Sequence, residues 1–401
     1  MTPLFKKFLG MHWIMFLFMV ALLLLGVYSI YNASAYKEAV DLSTKWRQQL
    51  MWIAVGTPFY FAASLIDYKW VRWACWPMYL TGLTLLLLLK QFGVTIQGNT
   101  NWLRFGGIQF QPSQFAIMAG ILTLAVVFGD LPRMAPMFRR PWLRTLVAGL
   151  VAGVPTALVA KEDLGSGLVW GPLFLSMMLV GSIPFRYIIT LVTLVAAVVP
   201  LGYVFALSEK QQKRIETPIY LATGQSHKVN FQDEGWVYSH LQMAVGTGGF
   251  EGKGPESKNV PDRASVHRTF LPDEVINDFI FAVMAEEFGF RGAFGTLVGM
   301  ASLLIFGVMV AFSARDQLGR LIVVGIVAMM FTHTFQNAGM NLTMLPIIGL
   351  PMPFISYGGT FMVVTLFLMG MIQSVWVHRH ISPVKKPRSV NSARVPDEEE
   401  E

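Results

Sequence analysis

The sequence predicts an all-α polytopic membrane protein with about ten transmembrane helices and a large extracytoplasmic loop between helices 7 and 8. Of the 401 residues, 54% are hydrophobic and 14% are charged. The apolar residues fall in runs of about twenty, the length that an α-helix needs to cross a bilayer. These runs are expected to be helical because every backbone polar group in hydrocarbon needs a partner within its own segment. The runs cover residues 12–31, 49–66, 72–90, 112–130, 144–160, 165–182, 185–207, 278–312, 319–345 and 353–377.

The basic residues predict which ends of these helices face the cytosol. If the N-terminus is cytosolic, the inside segments hold sixteen Lys and Arg residues and the short outside loops hold six. Basic residues concentrate in cytosolic loops, and the long loop is not counted because long loops cross regardless of charge. Both termini are therefore predicted to be cytosolic, and the net charge of +7 follows from orientation, with no nucleic acid partner. "KK", an apolar run and "ASA" near the start resemble a signal peptide, but the run is long enough to predict an uncleaved first helix.

Outside the helices, the chain divides into one long loop and one tail. Residues 1–380 are predicted to be the transmembrane domain, with residues 208–277 as its extracytoplasmic loop. Within this loop, "GWVYSHLQMAVGTGGF" has enough apolar and aromatic residues to predict an ordered loop with a short helix near residues 236–246. Residues 381–401 carry Pro and mixed charge, which predicts a disordered cytosolic tail. A single cysteine, Cys75, excludes a disulfide framework within the chain.

The stretch "INDFIFAVMAEEFGF", residues 276–290, places an acid where the long loop meets an apolar helix. Asp278 is expected at the outer membrane surface, where the N–H groups and dipole of a helix N-terminus favour a carboxylate. One interpretation is a helix cap, because Asn277 and Asp278 are both good capping residues. The other is a general base that takes a proton from an acceptor hydroxyl. The residues alone leave both interpretations open.

Two glutamates follow on the same predicted helix. Glu286 comes eight residues after Asp278, which is about 12 Å along an α-helix and roughly 80° around it. Two carboxylates placed in this way are too far apart to flank one glycosidic bond. Glu286 and Glu287 are therefore predicted to be buried partners of Arg side chains or loop amides. Acid–base chemistry at this site would rest on a single base.

The glycine-rich stretch "GTGGFEGKG", residues 246–254, is not a Walker loop. Lys253 is followed by Gly instead of Ser or Thr, and Thr247 stands where the first glycine of that motif is required. A glycine-rich turn that exposes backbone N–H groups beside a lysine suits an anion such as a diphosphate. A plain flexible turn explains the same pattern. Candidate counter-charges for the anion are Arg104, Lys253, Arg263 and Arg268.

Two further motifs lie at predicted helix ends. "FQPSQFAIMAG", residues 110–120, has Pro112 in the first helical turn, where its missing N–H costs little. "GLPMPFISYGGT", residues 349–360, places Pro and Gly residues at membrane depth. A broken backbone at that depth is tolerated only in the protein interior or beside a watery cavity. This stretch is interpreted either as a loop between two helices or as part of a substrate groove.

Five motifs together resemble the SEDS family of shape, elongation, division and sporulation proteins. In chain order they are "QPSQ" (111–114), "EDLGSG" (162–167), "GTGGFEGKG" (246–254), "NDFIFAVMAEEFGFRG" (277–292) and "GMNLTMLPIIGLPMPFISYGG" (339–359). The likeness covers nearly the whole chain apart from the tail. The last motif is more similar to the RodA (elongation) branch than to the FtsW (division) branch.

The resemblance implies a peptidoglycan glycosyltransferase that polymerises lipid II at the outer face of the bacterial cytoplasmic membrane during cell elongation and shape maintenance. The essential acid of the family motif falls on Asp278, which implies the general base. The implied substrate is lipid II and undecaprenyl diphosphate-linked glycan within membrane lipid, and the implied partner is a class B penicillin-binding protein. Basic groups or a divalent cation, Mg²⁺ or Mn²⁺, would stabilise the leaving diphosphate. Candidate substrate-binding residues are Lys253, Arg104, Gln242, Asp163, Arg268, Glu286 and Ser356.

The chain departs from the family pattern at three places. The family usually has "QPSE" followed three residues later by Lys, a buried pair at i,i+3, whereas this chain has Gln114 and Ile117. Replacing both members of such a pair can be nearly neutral for stability. One extra residue separates Pro272 from Asp278, with Ile276 where His is common. "KEDLG" replaces the usual "QPDLG".

Two alternative functions stay open at this point. One is a flippase for a lipid-linked precursor, which the helix breaks at membrane depth favour and the scarcity of charged residues inside the helices disfavours. The other is a non-catalytic scaffold for a penicillin-binding protein, which Gln114 and Ile117 favour.

Overall fold

The computed structural model is built almost entirely from helices. It describes residues 3–34, 44–96, 99–106, 108–160, 163–205, 207–232, 234–254, 266 and 273–380. The α-helices are α1 (Pro3–Leu9), α2 (Trp13–Ser34), α3 (Lys45–Leu65), α4 (Val71–Phe92), α5 (Pro112–Gly129), α6 (Leu131–Met134), α7 (Pro141–Val159), α8 (Leu164–Val180), α9 (Phe185–Phe205), α10 (Glu209–Ala222), α11 (Glu234–Gly248), α12 (Ile280–Ser313), α13 (Gln317–Asn341) and α14 (Gly359–Val377). Short 3-10 helices cover Tyr68–Trp70, Pro136–Arg139, Ser226–Lys228 and Asp273–Ile276.

The predicted polytopic helical class is confirmed. Within the described residues, eight helices are long and apolar enough to cross a membrane. They are α2, Tyr68–Phe92 (which contains α4), α5, α7, α9, α12, α13 and α14. The predicted runs at 49–66 and 165–182 also form helices, α3 and α8, but these fall short of that criterion in hydropathy or length. The count of ten spans therefore stays a prediction.

The core lies around α5, because 94% of the apolar window of that helix is buried, whereas none of α9 is. Helix α5 packs against α4, α7, α8 and α13, and α3 packs along α14. The last pair approaches closely at Gly370, where a Cβ would overlap the carbonyl oxygen of Tyr60. Small residues allow such close helix contact in a bilayer, where water provides no hydrophobic driving force between helices.

The connections separate into two sets at opposite ends of the bundle. At the predicted cytosolic end, Arg72 Nε lies 2.5 Å from Asp130 Oδ2, and Lys7 Nζ donates to the carbonyl of Leu65 at 3.1 Å. At the predicted outer end, the N-terminal ends of α5, α8, α12 and α14 lie close to one another, and their contacts form the candidate site described below. This alternation agrees with the predicted topology, whose direction rests on the distribution of basic residues.

The loop at the predicted outer end contains more regular structure than the sequence indicated. Between α4 and α5, an antiparallel sheet of three strands has the order β1 (Val94–Ile96), β2 (Asn99–Phe105), β3 (Ile108–Phe110). This stretch lies between the predicted runs 72–90 and 112–130, where the sequence predicted no strands. The short helix predicted near residues 236–246 is confirmed as α11, which packs against α12.

Helix α12 differs from the prediction. The predicted run 278–312 was treated as one helix, but Gly289 has a non-helical backbone (φ 66°, ψ −165°) that divides it into two helical pieces. A side chain other than Gly essentially never adopts this region. The piece before Gly289 begins directly after Asp278. The break at Gly289 therefore sets the orientation of this short helical piece relative to the rest of α12.

Candidate active site

Asp278 lies between the 3-10 turn Asp273–Ile276 and α12. The N-cap of α12 is Phe279, whose side chain makes no capping hydrogen bond. The N–H of Ala282 donates to the carbonyl of Phe279 at 3.0 Å and to Asn341 Oδ1 at 3.2 Å. The side-chain acceptor for this end of the helix is therefore supplied by α13. Asn341 therefore caps one N–H of this helix end, and both interpretations of Asp278, helix cap and general base, stay open.

Two asparagines on α13 fix the backbone of Asp278. Asn337 Nδ2 and Asn341 Nδ2 donate to the carbonyl oxygen of Asp278 at 3.0 and 2.9 Å. The Asp278 side chain is half-buried and lies against Gly349, where an added Cβ would be 3.2 Å from Asp278 Oδ2. Glycine at position 349 thus leaves room beside the carboxylate.

The proline- and glycine-rich segment 342–358 forms an irregular wall next to Asp278. Ser356 Oγ accepts from the N–H of Met352 at 2.8 Å, and Gln49 Nε2 donates to the Ser356 carbonyl at 3.2 Å. The N–H of Tyr357 donates to the carbonyl of Ile276 at 2.9 Å. Ser356 is fully buried. The Ser356 side chain stabilises the backbone of the wall, and its burial disfavours direct substrate contact, so the substrate-binding role of Ser356 stays a prediction.

A polar cluster at the N-termini of α5 and α8 contacts the same wall. Asp163 caps α8: its Oδ1 accepts from the Ser166 N–H at 2.9 Å, and its Oδ2 accepts from Ser166 Oγ at 2.6 Å and from Gln111 Nε2 at 3.3 Å. Burial raises the pKa of Asp163, while the hydrogen bonds from Ser166 and Gln111 oppose that rise. Gly165 packs on the carbonyl of Ile348. The "QPSQ" and "EDLGSG" motifs thus meet, and segment 348–350 joins them to Asp278.

The glycine-rich turn 246–254 packs against the broken helix instead of facing outward. Glu286 is fully buried, and its Oε1 accepts from Lys253 Nζ at 2.5 Å and from the N–H of Val266 at 2.7 Å. The N–H groups of Lys253 and Gly254 donate to the carbonyls of Glu286 and Glu287 at 3.0 and 2.9 Å. These amides are occupied, and the lysine charge is matched by a carboxylate. These contacts disfavour an anion site at Lys253 and Gly254, and the anion-site interpretation of the turn stays a prediction.

The two glutamates have the buried placement that the sequence predicted, and the partners of Glu286 include a loop amide, as predicted, and Lys253. Glu287 is 2% exposed, and its Oε2 accepts from Asn32 Nδ2 at 3.2 Å. Burial of Glu286 disfavours its direct contact with substrate, and the substrate-binding roles predicted for Glu286 and Lys253 stay predictions.

The other candidate residues lie at the predicted outer surface or outside the described residues. Arg104 is exposed on β2. Gln242 is exposed on α11, and its Nε2 donates to Thr343 Oγ1 at 3.1 Å, which ties the loop helix to the wall. Arg263 and Arg268 lie outside the described residues.

Sequence analysis missed one basic residue near the wall. Lys45 Nζ, at the start of α3, lies 5.3 Å from the centre of the Tyr357 ring. Tyr357 in turn donates its hydroxyl to Gln48 Oε1 at 2.7 Å. Lys45 was counted only for membrane orientation, because nothing in the sequence near it marks a site.

The described residues do not fit a protein-made metal cage. They contain no group of three or more His, Cys, Asp or Glu side chains that could hold an ion. Mg²⁺ also binds through one or two carboxylates together with substrate phosphates and water, and only that mode suits Asp278. A divalent cation therefore stays a proposal, and no step of the mechanism below depends on one.

The family model and the similar proteins of known name point to the same protein family. The family model of the cell cycle proteins FtsW, RodA and SpoVE matches residues 12–381. The peptidoglycan glycosyltransferase MrdB of Escherichia coli strain K12 is 30% identical over 372 residues, which cover 91% of this chain and 93% of that protein. The probable peptidoglycan glycosyltransferase FtsW of Geobacter metallireducens is 31% identical over 368 residues, with coverage of 90% and 93%. The peptidoglycan glycosyltransferase RodA of Treponema pallidum is 25% identical over 437 residues, with coverage of 90% and 96%.

Two solved structures have the same fold. One is described as the structural coordination of polymerization and crosslinking by a peptidoglycan synthase complex, and a chain of it aligns with a TM-score of 0.71 at 23% identity, over 93% of this chain and 99% of that chain. The other is the crystal structure of the rod shape determining protein RodA of Thermus thermophilus, with a TM-score of 0.64 at 22% identity, over 93% and 98%.

Proposed function

The chain belongs to the FtsW, RodA and SpoVE family of cell cycle proteins, and we propose that it is a peptidoglycan glycosyltransferase that polymerises lipid II with Asp278 as general base. This membership confirms the resemblance to the SEDS family. Relatives named MrdB, RodA and FtsW are all described as peptidoglycan glycosyltransferases. The enzyme interpretation is therefore favoured over the flippase and the scaffold.

The placement of Asp278 is the single observation that carries the catalytic assignment. The carboxylate is half-buried beside Gly349, and the capping acceptor for α12 comes from Asn341. A partly shielded carboxylate at the predicted outer end of a helix is suited to accept a proton from a substrate hydroxyl. The buried glutamates of the same helix are engaged with Lys253 and Asn32.

In the proposed reaction, Asp278 accepts the proton of the attacking sugar hydroxyl on the acceptor. The oxygen of that hydroxyl forms a bond with the anomeric carbon of the donor, and the bond from that carbon to the diphosphate oxygen breaks. The polyprenyl diphosphate leaves with the electron pair. One proton moves to Asp278, one glycosidic bond forms and one glycosyl phosphate bond is lost, so the step needs no oxidant or reductant.

The leaving diphosphate needs positive charge close to it. Lys253 cannot supply it freely, because its ammonium lies 2.5 Å from the buried Glu286 carboxylate. We assign this role to Arg104, which is exposed on β2, and to Lys45, which lies over the Tyr357 ring beside the wall. Asp163 and Gln242 stay proposed as substrate-binding residues.

The proposed partner is a class B penicillin-binding protein that cross-links the new strand. Support comes from the fold shared with a chain of a peptidoglycan synthase complex, whose description couples polymerization with crosslinking. The proposed location is the bacterial cytoplasmic membrane, with both termini in the cytosol. Overall identity does not separate an elongation role from a division role, because the relatives named MrdB and FtsW are 30% and 31% identical to the chain. The elongation role is therefore proposed from the RodA-like motif at 339–359 alone.

The test is an assay that separates the three functions. Purified protein with its penicillin-binding partner is incubated with fluorescent lipid II, and the products are separated by length, while the same protein in liposomes is assayed for lipid II translocation. We expect polymer without translocation. Translocation without polymer would establish the flippase, and neither product in protein that still binds its partner would establish the scaffold.

A further inference from the structure

We infer that Asn337, Asn341 and His333 on α13 form a polar ladder that positions the general base, and that Asn337 is its central positioning residue. The inference rests on the proposed function, because it assigns these residues through Asp278. None of the three side chains is expected to touch substrate. Their role is to hold two backbone segments in register, so that the Asp278 carboxylate stays beside Gly349.

The ladder consists of three polar residues at i, i+4 and i+8, which place them on one face of the helix. All three are fully buried. His333 Nδ1 lies 3.1 Å from the carbonyl oxygen of Pro351. Because a carbonyl only accepts, His333 Nδ1 carries the proton in this contact.

Asn337 joins the two segments on either side of the base. Its Nδ2 donates both to the carbonyl of Asp278 at 3.0 Å and to the carbonyl of Leu350 at 2.7 Å. One amide group therefore bridges the residue that carries the base and the residue after Gly349. The two N–H bonds of an amide point in fixed directions, so this bridge sets the distance between the two backbones.

Asn341 completes the arrangement from the end of α13. Its Nδ2 donates to the Asp278 carbonyl at 2.9 Å, and its Oδ1 accepts from the Ala282 N–H at 3.2 Å. The same Nδ2 also lies 2.8 Å from the carbonyl oxygen of Asn337. Asn341 thus fixes the backbone before and after the start of α12.

Buried amides in a helix interior are expensive in a membrane unless they are paired. A ladder used only for folding could bond any carbonyl of the wall, as Gln336 does: its Nε2 donates to the carbonyl of Pro346 at 2.9 Å. The two asparagines instead converge on the one backbone carbonyl of the proposed base. Misplacement of a reacting group by about 1 Å can lower a rate about 100-fold, which makes such positioning valuable.

The test compares Asn337→Ala with Gln336→Ala in steady-state lipid II polymerisation by the purified protein and its partner. Gln336 is the matched control, because it neighbours Asn337 and bonds the same wall without touching Asp278. We expect Asn337→Ala to lower kcat about 10- to 100-fold with KM nearly unchanged. Gln336→Ala should keep both constants within about twofold of the wild type.

A second variant covers the case in which Asn337→Ala does not fold. In Asn337→Ser, the serine hydroxyl can donate to the backbone carbonyl one turn earlier in α13, but it is too short to reach the Asp278 carbonyl. We expect the same loss of kcat for this variant. Wild-type kcat in either folded variant, or an equal loss in Gln336→Ala, would overturn the positioning role. Asp278→Asn in the same assay separates the two proposals. An active Asp278→Asn variant would contradict the general-base proposal. An inactive Asp278→Asn variant together with a fully active Asn337→Ala variant would contradict only the positioning role of the ladder.

Discussion

Gly252 and Gly289 meet backbone to backbone where the glycine-rich turn crosses the break in α12. A Cβ on Gly252 would lie 2.5 Å from the nitrogen of Gly289, and a Cβ on Gly289 would overlap the nitrogen of Gly252. The contact is stabilised by a hydrogen bond in which the N–H of Phe290 donates to the carbonyl of Gly249 at 2.8 Å. The turn therefore works as a clamp that fixes the angle of the helical piece following Asp278.

The clamp predicts that Gly289→Ala is destabilising. Its backbone region is essentially restricted to Gly, and the strain alone costs about 1–3 kcal/mol, with the overlap on Gly252 added to it. We expect a lower free energy of unfolding in detergent and slower polymerisation. Gly295→Ala on the same helix is the control, because nothing lies within 4 Å of an added Cβ there, and it should leave stability equal or higher by up to about 1 kcal/mol. Equal stability of the two variants would contradict the clamp.

The ion pair between Lys253 and Glu286 predicts that removing Lys253 lowers the free energy of unfolding as long as Glu286 is present. Lys253→Met removes a cation that lies against a fully buried carboxylate, and removing one partner of a buried pair costs about 3–5 kcal/mol. Adding Glu286→Gln to Lys253→Met should recover most of this loss, because the remaining groups are neutral. Unfolding of the single and double variants measures the difference. A single variant as stable as the wild type would show that the pair does not hold the turn.

The capping contact of Asp163 predicts different results for two substitutions. Asp163→Ala removes the acceptor for the Ser166 N–H and should cost about 0.5–2 kcal/mol of stability. Asp163→Asn keeps one oxygen for the Ser166 N–H and should lose less stability than Asp163→Ala, although its amide nitrogen no longer accepts from Gln111 Nε2. Polymerisation kinetics of the stable Asn variant then test the substrate-binding proposal: a raised KM supports it, and unchanged constants leave Asp163 as a cap only.

Much of the fold follows from the sequence because length and hydropathy decide it. Apolar runs of about twenty residues have few alternatives to helices in a bilayer. The prolines and glycines of residues 349–360 indicated a break, and the irregular segment begins earlier than predicted, because α13 ends at Asn341 and α14 begins only at Gly359. The break at Gly289 was missed, since a single glycine in an apolar run also occurs in unbroken helices. The small sheet between α4 and α5 was missed because two of its three strands have only three residues and the seven residues of β2, NTNWLRF, follow no clear alternation of apolar and polar residues.

The candidate site was predicted only in part. Burial of Glu286 and Glu287 follows from the cost of carboxylates near lipid, but the partner of Glu286, Lys253, is 33 residues away in the chain, and spacing alone does not reveal it. A signal for the ladder was present: His333, Asn337 and Asn341 stand four residues apart in a largely apolar helix, which marks a polar stripe. The shared target of the two asparagines, the carbonyl of Asp278, needed the three-dimensional structure.

The most direct test of the account is the rate at which Asp278→Asn protein, purified with its partner, converts lipid II into polymer. Glu251→Gln is the matched control, because it makes the same acid-to-amide change at an exposed position of the neighbouring turn. A general base contributes about 10²- to 10⁴-fold to a rate. The account therefore predicts a loss of at least that size in Asp278→Asn with an unchanged unfolding temperature, and wild-type polymerisation in Glu251→Gln. Polymerisation by folded Asp278→Asn at the wild-type rate would contradict it.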